Sequence, residues 1–350
     1  MPANLKRIFY VDHLAAREYA EVIARRPDVS LERLENDSAQ TEATEAVLAR
    51  AHGYQIGSAR DELDPAFYAT TALLARAPDL LIVSTNGAGY DTVDVEACTA
   101  AGVLAVNQAG GNKEAVAEHA LALMLALSKR IVETDRRMRR ADGIPRNEYM
   151  GNDIFGRTVG IIGLGHVGSR LAQLCGTLFS MRVLAFDPYL SAEQVAARGA
   201  EKVDFDTLLE SADFVSVNCP RTAETRGMLD ARAFGLMQPH AYFVTTARGG
   251  IHDEAALAEA LRARRIAGAG LDVWDREPPP ADHPLLAFDT VIASPHTAGV
   301  TRQARANIAT IAAEQMLDVL DGKRPERLLN PEVWDRYAER FERVLGFRPA

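Results

Sequence analysis

The stretch Thr158-Val-Gly-Ile-Ile-Gly-Leu-Gly-His-Val-Gly168 restricts what this chain can fold into more than any other. An apolar run, Val159 to Ile162, gives way to Gly163-Leu-Gly165-His-Val-Gly168 and then to the helix-like Arg170-Leu-Ala-Gln-Leu. Strand, glycine turn and helix in that order read as a dinucleotide-binding crossover. Gly163 supplies the tight turn, Gly165 lets the backbone approach a pyrophosphate, and Gly168 lets the helix pack close to the strand, with phosphates at the helix N-terminus. Such a triplet is weak alone. It gains weight from Arg182-Val-Leu-Ala-Phe-Asp187, a second apolar run ending on an acid about 20 residues beyond the last glycine, where a ribose-binding carboxylate belongs. The plainer role for Asp187 is a turn former before Pro188.

At 350 residues the chain can bury a sizeable core, and two domains are expected rather than one. A net charge of −9 argues against a general nucleic-acid binder, which needs a basic surface. Cys98, Cys175 and Cys219 are too few for a disulfide framework, and no CxxC or HExxH spacing suggests a metal, so free thiols of a reduced compartment are expected. The N-terminus runs directly into a strand-like Lys6-Arg-Ile-Phe-Tyr-Val without a signal-like apolar region, and the longest nearly apolar stretch, Ala120 to Leu127, is too short to span a bilayer. These features predict a cytoplasmic protein with no membrane partner.

Taken in order, the pattern predicts a strand at 6–12, helices at 15–24, 42–51 and 67–76, a strand at 79–84, a helix at 93–101 and a strand at 103–107. Alternation of this kind predicts a parallel sheet with helices on both faces. A long helix starts at Lys113, with Val116, Ala120, Leu123, Met124, Leu127 and Ile131 on one apolar face and Leu121 and Leu125 on the other. A helix apolar nearly all round is buried, and this one is expected to join two domains and to end in the charged 135–140 face. Six strands follow, at 159–162, 183–186, 214–217, 242–245, 269–273 and 291–293, enough for a complete doubly wound domain. A last long helix near 303–320 and an amphipathic tail carrying Trp334, Tyr337, Phe341 and Leu345 return to the first domain. The expected organisation is α/β with two doubly wound parallel-sheet domains: a discontinuous, flavodoxin-like substrate domain at 1–111 and 298–350, and a Rossmann domain at 112–297.

Ligands of open parallel sheets bind beyond the carboxyl ends of the strands. Three such ends carry a titratable or cationic group: Arg248 after the run at 242–247, Glu277 after 271–276 and His296 after 291–295. Singly, each has an ordinary explanation in a surface ion pair, a solvated acid or a turn histidine. Together they fit the reduction of a 2-keto acid beside a nicotinamide. Arg248 offers a planar fork for the carboxylate and carbonyl, His296 delivers or takes the proton, and Glu277 fixes the imidazole tautomer.

At these motifs the chain resembles the D-isomer-specific 2-hydroxyacid dehydrogenases. The resemblance is carried by Asn86-Gly-Ala-Gly-Tyr-Asp-Thr-Val-Asp94, Val116-Ala-Glu-His119, the glycine turn, Cys219-Pro-Arg-Thr-Ala-Glu-Thr225, Thr246-Ala-Arg-Gly-Gly250, Leu271-Asp-Val-Trp-Asp-Arg-Glu-Pro278 and Ser294-Pro-His-Thr-Ala-Gly299. It implies Arg248, Glu277 and His296 as the catalytic set and NAD as cofactor. The cofactor contacts it implies are Gly163, Gly165, His166, Val167 and Gly168 in the glycine turn, and Asp187 for the ribose. Further along they are Cys219, Pro220 and Thr225, then Thr246 and Ala247, then Asp272 on the nicotinamide carboxamide, and Ala298 and Gly299. It implies backbone amides of the Asn86-Gly87 segment for the substrate carboxylate, alongside Arg248 and His296, and a homodimer. Departures are also legible. Ala115 stands where many members have a hydroxyl, and Thr85 where some phosphoglycerate-type members have arginine. Glu277 stands where formate dehydrogenase has glutamine. An alternative on the same fold is an NAD-sensing, corepressor-like binding protein.

Overall fold

The computed structural model describes residues 5–350. Residues 1–4, which the sequence reading places in the first domain, lie outside the described residues. The chain opens with β1 (Lys6–Val11), α1 (Glu18–Ile23), β2 (Val29–Leu34), α2 (Glu42–Leu48), β3 (Gly53–Ile56), α3 (Thr71–Arg76), β4 (Ile82–Thr85), α4 (Val95–Ala101) and β5 (Leu104–Val106). There follow α5 (Lys113–Ser128), α6 (Ile131–Arg140), β6 (Thr158–Ile162), α7 (His166–Phe179), β7 (Arg182–Phe186), α8 (Ala192–Ala197), β8 (Glu201–Lys202), α9 (Phe205–Ser211) and β9 (Phe214–Val217). The remainder is α10 (Ala231–Leu236), β10 (Tyr242–Thr245), α11 (Glu254–Arg262), β11 (Gly268–Leu271), β12 (Val291–Ala293), α12 (Arg302–Leu320) and α13 (Trp334–Leu345).

Two compact units result, one running to Asn112 and resuming over Arg302–Ala350, the other Lys113–Thr301. The first holds a five-stranded sheet in the order β2-β1-β3-β4-β5, parallel at each pairing. That is the flavodoxin-like order. Its helix α12 lies against α1 and β4, and Tyr337, Phe341 and Leu345 of α13 are buried in the same core as Tyr19, Ile23 and Met316. The aromatic stripe of the tail is thus internal packing.

The second unit holds a seven-stranded parallel sheet, β12-β11-β10-β9-β6-β7-β8. The order reverses between β6 and β9, which is the switch point of a doubly wound fold. Short side-chain caps start its helices where the sequence has Asp or Ser: Asp204 for α9, Asp230 for α10, Asp253 for α11, and a reciprocal capping box of Ser191 and Gln194 for α8.

Four sequence expectations change. The first sheet gains β2 and β3, whose Val-Ser-Leu-Glu-Arg-Leu and Gly-Tyr-Gln-Ile lack a continuous apolar run. The second gains β8, two exposed residues on a sheet edge, making seven strands instead of six. The helix expected at 67–76 starts only at Thr71, because Tyr68 and Thr70 are extended and Ala69 bridges Val93. The long helix from Lys113 breaks at Arg130, whose φ of 55° is left-handed, and Ile131 beyond it is 55% exposed rather than on the buried face. The break is a tertiary event. Ser128 and Asn152 exchange hydrogen bonds, Asn152 N–H to the Ser128 carbonyl at 2.8 Å and Ser128 Oγ to the Asn152 carbonyl at 2.8 Å, so the returning chain takes over the end of α5. Arg130 turns back to make a two-pronged contact with Glu133. Within its unit, α5 packs on α7, β10, β11 and β12.

No helix is long and apolar enough to cross a membrane, and no cluster of three or more metal-ligating side chains occurs among the described residues. Cys98 and Cys175 are buried and burial pushes each thiol up to about 12.

His252 creates a pH liability in the second unit. It is buried beside Phe243, with ring centroids 5.4 Å apart, and neither ring nitrogen has a hydrogen-bond partner among the described residues. Burial lowers its pKa from 6.5 to about 4. The unfolded chain therefore takes up this proton below pH 6.5 while the fold resists until about pH 4. Its contribution is complete above pH 6.5 and is lost as pH falls toward 4, on the order of 3 kcal/mol. In urea titrations at pH 7 and pH 4.5, His252→Val is expected to lose clearly less stability on acidification than the parent chain. Equal losses would remove His252 as the cause.

Candidate active site

The glycine turn is built as its residue types require. Gly163 has φ of 88°, and a Cβ there would meet the Cys219 backbone nitrogen at 2.7 Å. A Cβ on Gly168 would lie 2.2 Å from the Gly163 carbonyl, so the close approach of α7 to β6 excludes any side chain. Gly165 differs, since nothing lies within 4 Å of its missing Cβ and the space is open. Gly165 also caps α7 without a side-chain partner for the first-turn amides, which begin at His166 and Val167. Open space over uncapped helix amides suits a phosphate group.

Asp187 stands at the end of β7. Its Oδ2 accepts the Leu164 N–H of the glycine turn at 2.9 Å and its Oδ1 accepts the Tyr189 N–H at 3.0 Å. The acid is a turn former and a brace of the phosphate loop together, with lone pairs left for a ribose hydroxyl. Across the switch point Thr225 Oγ1 donates to the Pro220 carbonyl at 2.7 Å and accepts from the Thr222 N–H, which rigidifies the Cys219–Thr225 loop. Burial raises the Cys219 thiol to about 11, so it stays protonated at neutral pH. Two buried polar atoms just past strand ends, Asn218 Oδ1 and Thr246 Oγ1, have no hydrogen-bond partner among the described residues. Unpaired buried oxygens are costly, and here they lie just beyond the carboxyl ends of β9 and β10, where a ligand of this fold binds. The residues present fit a dinucleotide.

Glu277 and His296 are brought together. Nδ1 of His296 lies 2.7 Å from Oε2 of Glu277, with the histidine side chain 31% exposed and the glutamate 22%. A carboxylate there accepts the Nδ1–H, which leaves Nε2 as the ring nitrogen that Glu277 does not engage. The other glutamate oxygen, Oε1, accepts the Trp274 N–H at 3.0 Å, and the Trp274 indole donates to the Ser294 carbonyl at 3.0 Å. The imidazole is therefore held through a chain of contacts running back into the sheet.

His296 has φ of 55°, an unusual backbone state for a residue with a side chain, and one that must be enforced by its surroundings. Asp272, fully buried just past β11, enforces it. Its carbonyl accepts the His296 N–H at 2.7 Å, Oδ1 accepts the Thr297 N–H at 2.8 Å and the Ser294 hydroxyl at 2.6 Å, and Oδ2 accepts the Ala298 N–H at 2.9 Å. Three donors already occupy the carboxylate, which has about four acceptor positions. His119 of α5 joins through Nε2, 3.0 Å from Ser294 Oγ. Gly299 follows Ala298 in this loop, and Ala247 precedes Arg248, whose Nη1 donates to the Ala247 carbonyl at 2.7 Å.

Trp274, Ser294 and His119 carry no role in the sequence reading, although all three fall inside its motifs. Their work depends on distances across the sheet, which spacing along the chain does not report.

In the first unit, the Asn86–Gly89 loop follows β4. The Asn86 N–H donates to the Ile56 carbonyl at 2.8 Å and its side chain is buried against Gln55, so the Asn86 amide is taken by the sheet. Gly87 is packed beside Ser58, whose Oγ would lie 3.2 Å from a Cβ.

Residues 121–298 match the model of the D-isomer specific 2-hydroxyacid dehydrogenase, NAD binding domain. The chain belongs to this family. Similar curated proteins include a D-3-phosphoglycerate dehydrogenase of Archaeoglobus fulgidus, 43% identical over 71% of this chain and 47% of that protein. Another is a glyoxylate reductase of Aeropyrum pernix, 39% identical over 75% of this chain and 79% of that protein. The chain spans about half the length of the curated phosphoglycerate dehydrogenases it matches. Among solved structures it is similar to a D-lactate dehydrogenase from Aquifex aeolicus complexed with NAD and lactic acid, with TM-score 0.76, 26% identity, and 90% and 96% of the two chains covered. Family membership accounts for the parallel sheets and the order of the motifs, and the second unit is its NAD-binding domain.

Proposed function

We propose that this chain is an NAD-dependent oxidoreductase interconverting a D-2-hydroxy acid and its 2-keto acid. The observation that carries the reading is the His296–Glu277 pair, 2.7 Å apart on the loops beyond β12 and β11 of the same unit that holds the glycine turn. Bound NADH supplies the hydride that adds to the keto carbon. His296 donates the Nε2 proton to the carbonyl oxygen as negative charge develops there, and Glu277 stabilises the imidazolium before that transfer. In the oxidative direction neutral His296 accepts the hydroxyl proton. Arg248 orients the keto acid through its guanidinium fork, and the Asn86-Gly87 segment is assigned to its carboxylate.

Gly163, Gly165, His166, Val167 and Gly168 are assigned to the pyrophosphate and Asp187 to the ribose. Asp187 favours NAD, because a carboxylate repels a 2′-phosphate. Cys219, Pro220, Thr225, Thr246, Ala247, Ala298 and Gly299 line the remainder of the cofactor, and the fourth acceptor position of Asp272 is assigned to the carboxamide. A homodimer and a cytoplasmic setting complete the reading. A protein that only senses NAD has no need of a tautomer-fixed histidine, which disfavours the corepressor-like alternative.

The test is oxidation of NADH, with NADPH in parallel, against glyoxylate, hydroxypyruvate, pyruvate, 2-oxoglutarate, phosphohydroxypyruvate and a bulky branched keto acid. Turnover with at least one and a preference for NADH are expected. Tight NADH binding without turnover of any would overturn the catalytic reading.

A further inference from the structure

Arg221 stands between Pro220 and Thr225 in the loop after β9, and the proposed reaction gives it no work. Its side chain is half-buried and crosses to the loop after β10, where Nη1 donates to the Gly249 carbonyl at 3.1 Å. Gly249 directly follows Arg248. The contact therefore reaches the backbone next to the residue that is to hold the substrate.

That backbone is held from three sides. A Cβ on Gly249 would lie 1.9 Å from the Trp274 carbonyl oxygen, so the glycine is seated directly on the main chain after β11. The Gly250 carbonyl accepts the Gly227 N–H at 2.8 Å, the Ile251 carbonyl accepts the Leu229 N–H at 3.2 Å, and the Asp253 N–H donates to the Leu229 carbonyl at 3.0 Å. These bonds zip the two loops together beyond Gly249. Arg221 adds the rung nearest Arg248, and it is the one made by a side chain. A charged donor on a carbonyl is also among the stronger hydrogen bonds.

The turn that carries Arg221 does not depend on it. Thr225 Oγ1 ties that turn to Pro220 and Thr222, and the Arg226 N–H donates to the Thr222 carbonyl at 3.1 Å. Loss of the Arg221 guanidinium thus leaves the cofactor side of the loop in shape and frees the substrate side.

We propose that Arg221 is a positioning residue, which sets the place of the Arg248 guanidinium by holding the Gly249 carbonyl against the Cys219–Thr225 turn. The inference rests on the keto-acid reading above. A fork that must meet a carboxylate and a carbonyl together tolerates little displacement, so the loss falls on substrate binding and acts through Arg248.

The experiment measures oxamate binding to the NADH-loaded enzyme, NADH binding alone and keto-acid kinetics for the parent chain, Arg221→Met, Arg221→Lys, Arg248→Ala and the Arg221→Met/Arg248→Ala double variant. Arg221→Met keeps an unbranched stem along Gly250 and removes the donor. It is expected to weaken oxamate and raise the keto-acid KM about tenfold, the scale of one lost charged hydrogen bond, with kcat and NADH affinity changed by less than about twofold. Arg221→Lys, with one donor able to reach the carbonyl, should fall between parent and methionine. In the Arg248→Ala background the methionine should cost nothing further, because the residue it positions is gone.

Unchanged oxamate affinity and KM in Arg221→Met would overturn the inference. So would a lysine no better than methionine, a parallel loss of NADH affinity, or the same tenfold loss with and without Arg248. Oxamate binding without turnover in the parent chain would sink the reaction reading while the oxamate cycle still decides the role of Arg221. Turnover with additive losses would uphold the reaction and overturn the positioning role, and a parent chain that neither binds oxamate nor turns over would overturn both.

Discussion

Replacing His296 with alanine is expected to lower the rate of keto-acid reduction about 10²- to 10⁴-fold, the usual range for loss of a positioned acid. The dissociation constant for NADH should stay within about twofold of the parent value. The separation follows from geometry. The His296 backbone is held by the Asp272 carbonyl, and the neighbouring Thr297 and Ala298 amides by the Asp272 carboxylate, none of which needs the imidazole. Stopped-flow hydride transfer and fluorescence titration of NADH measure the two halves independently. Equal loss of both would mean that the ring supports the loop rather than the chemistry. Glu277→Gln should give a smaller loss, since an amide can still accept the Nδ1–H at 2.7 Å but cannot neutralise the imidazolium.

The second large effect is expected at Arg248. Arg248→Ala should reduce kcat/KM by about 2–5 kcal/mol, or roughly 30- to 5000-fold, because it leaves a desolvated substrate anion without its cation. Arg248→Lys should recover only part of this, since an ammonium supplies charge without the fork that engages carboxylate and carbonyl together. If lysine were as good as arginine across several keto acids, the fork would have no role and Arg248 would act as charge alone. If alanine were harmless, the substrate would have to be held elsewhere.

Much of the site is legible because its chemistry sits at fixed offsets from strand ends. The glycine turn, Asp187, Arg248, Glu277 and His296 each lie within six residues of the end of a strand, and a parallel sheet gathers such positions at one edge. The residues that support them are not legible in this way. Ser294 matters because its hydroxyl is 2.6 Å from an aspartate 22 positions earlier, and His119 because α5 lies against β11 and β12. Asn107 looks like the ordinary end of a strand in the string, and Gln108 like the residue that follows it. Only the parallel pairing of β4 with β5 carries them under the Gly87–Gly89 loop.

The same division runs through the fold. Local physical chemistry written in the chain determined the glycine turn, the identity of the helix caps and the periodicity of most strands, since each depends on residues a few positions apart. Strands such as β2, β3 and β8 escaped because their place comes from pairing with β1 and β7 rather than from their own hydrophobicity. The break at Arg130 escaped because Asn152 has to arrive at Ser128 from 24 residues downstream of it to make it. Tertiary structure alone decided the strained backbone of His296 and the burial of His252, because both are imposed by neighbours remote in sequence.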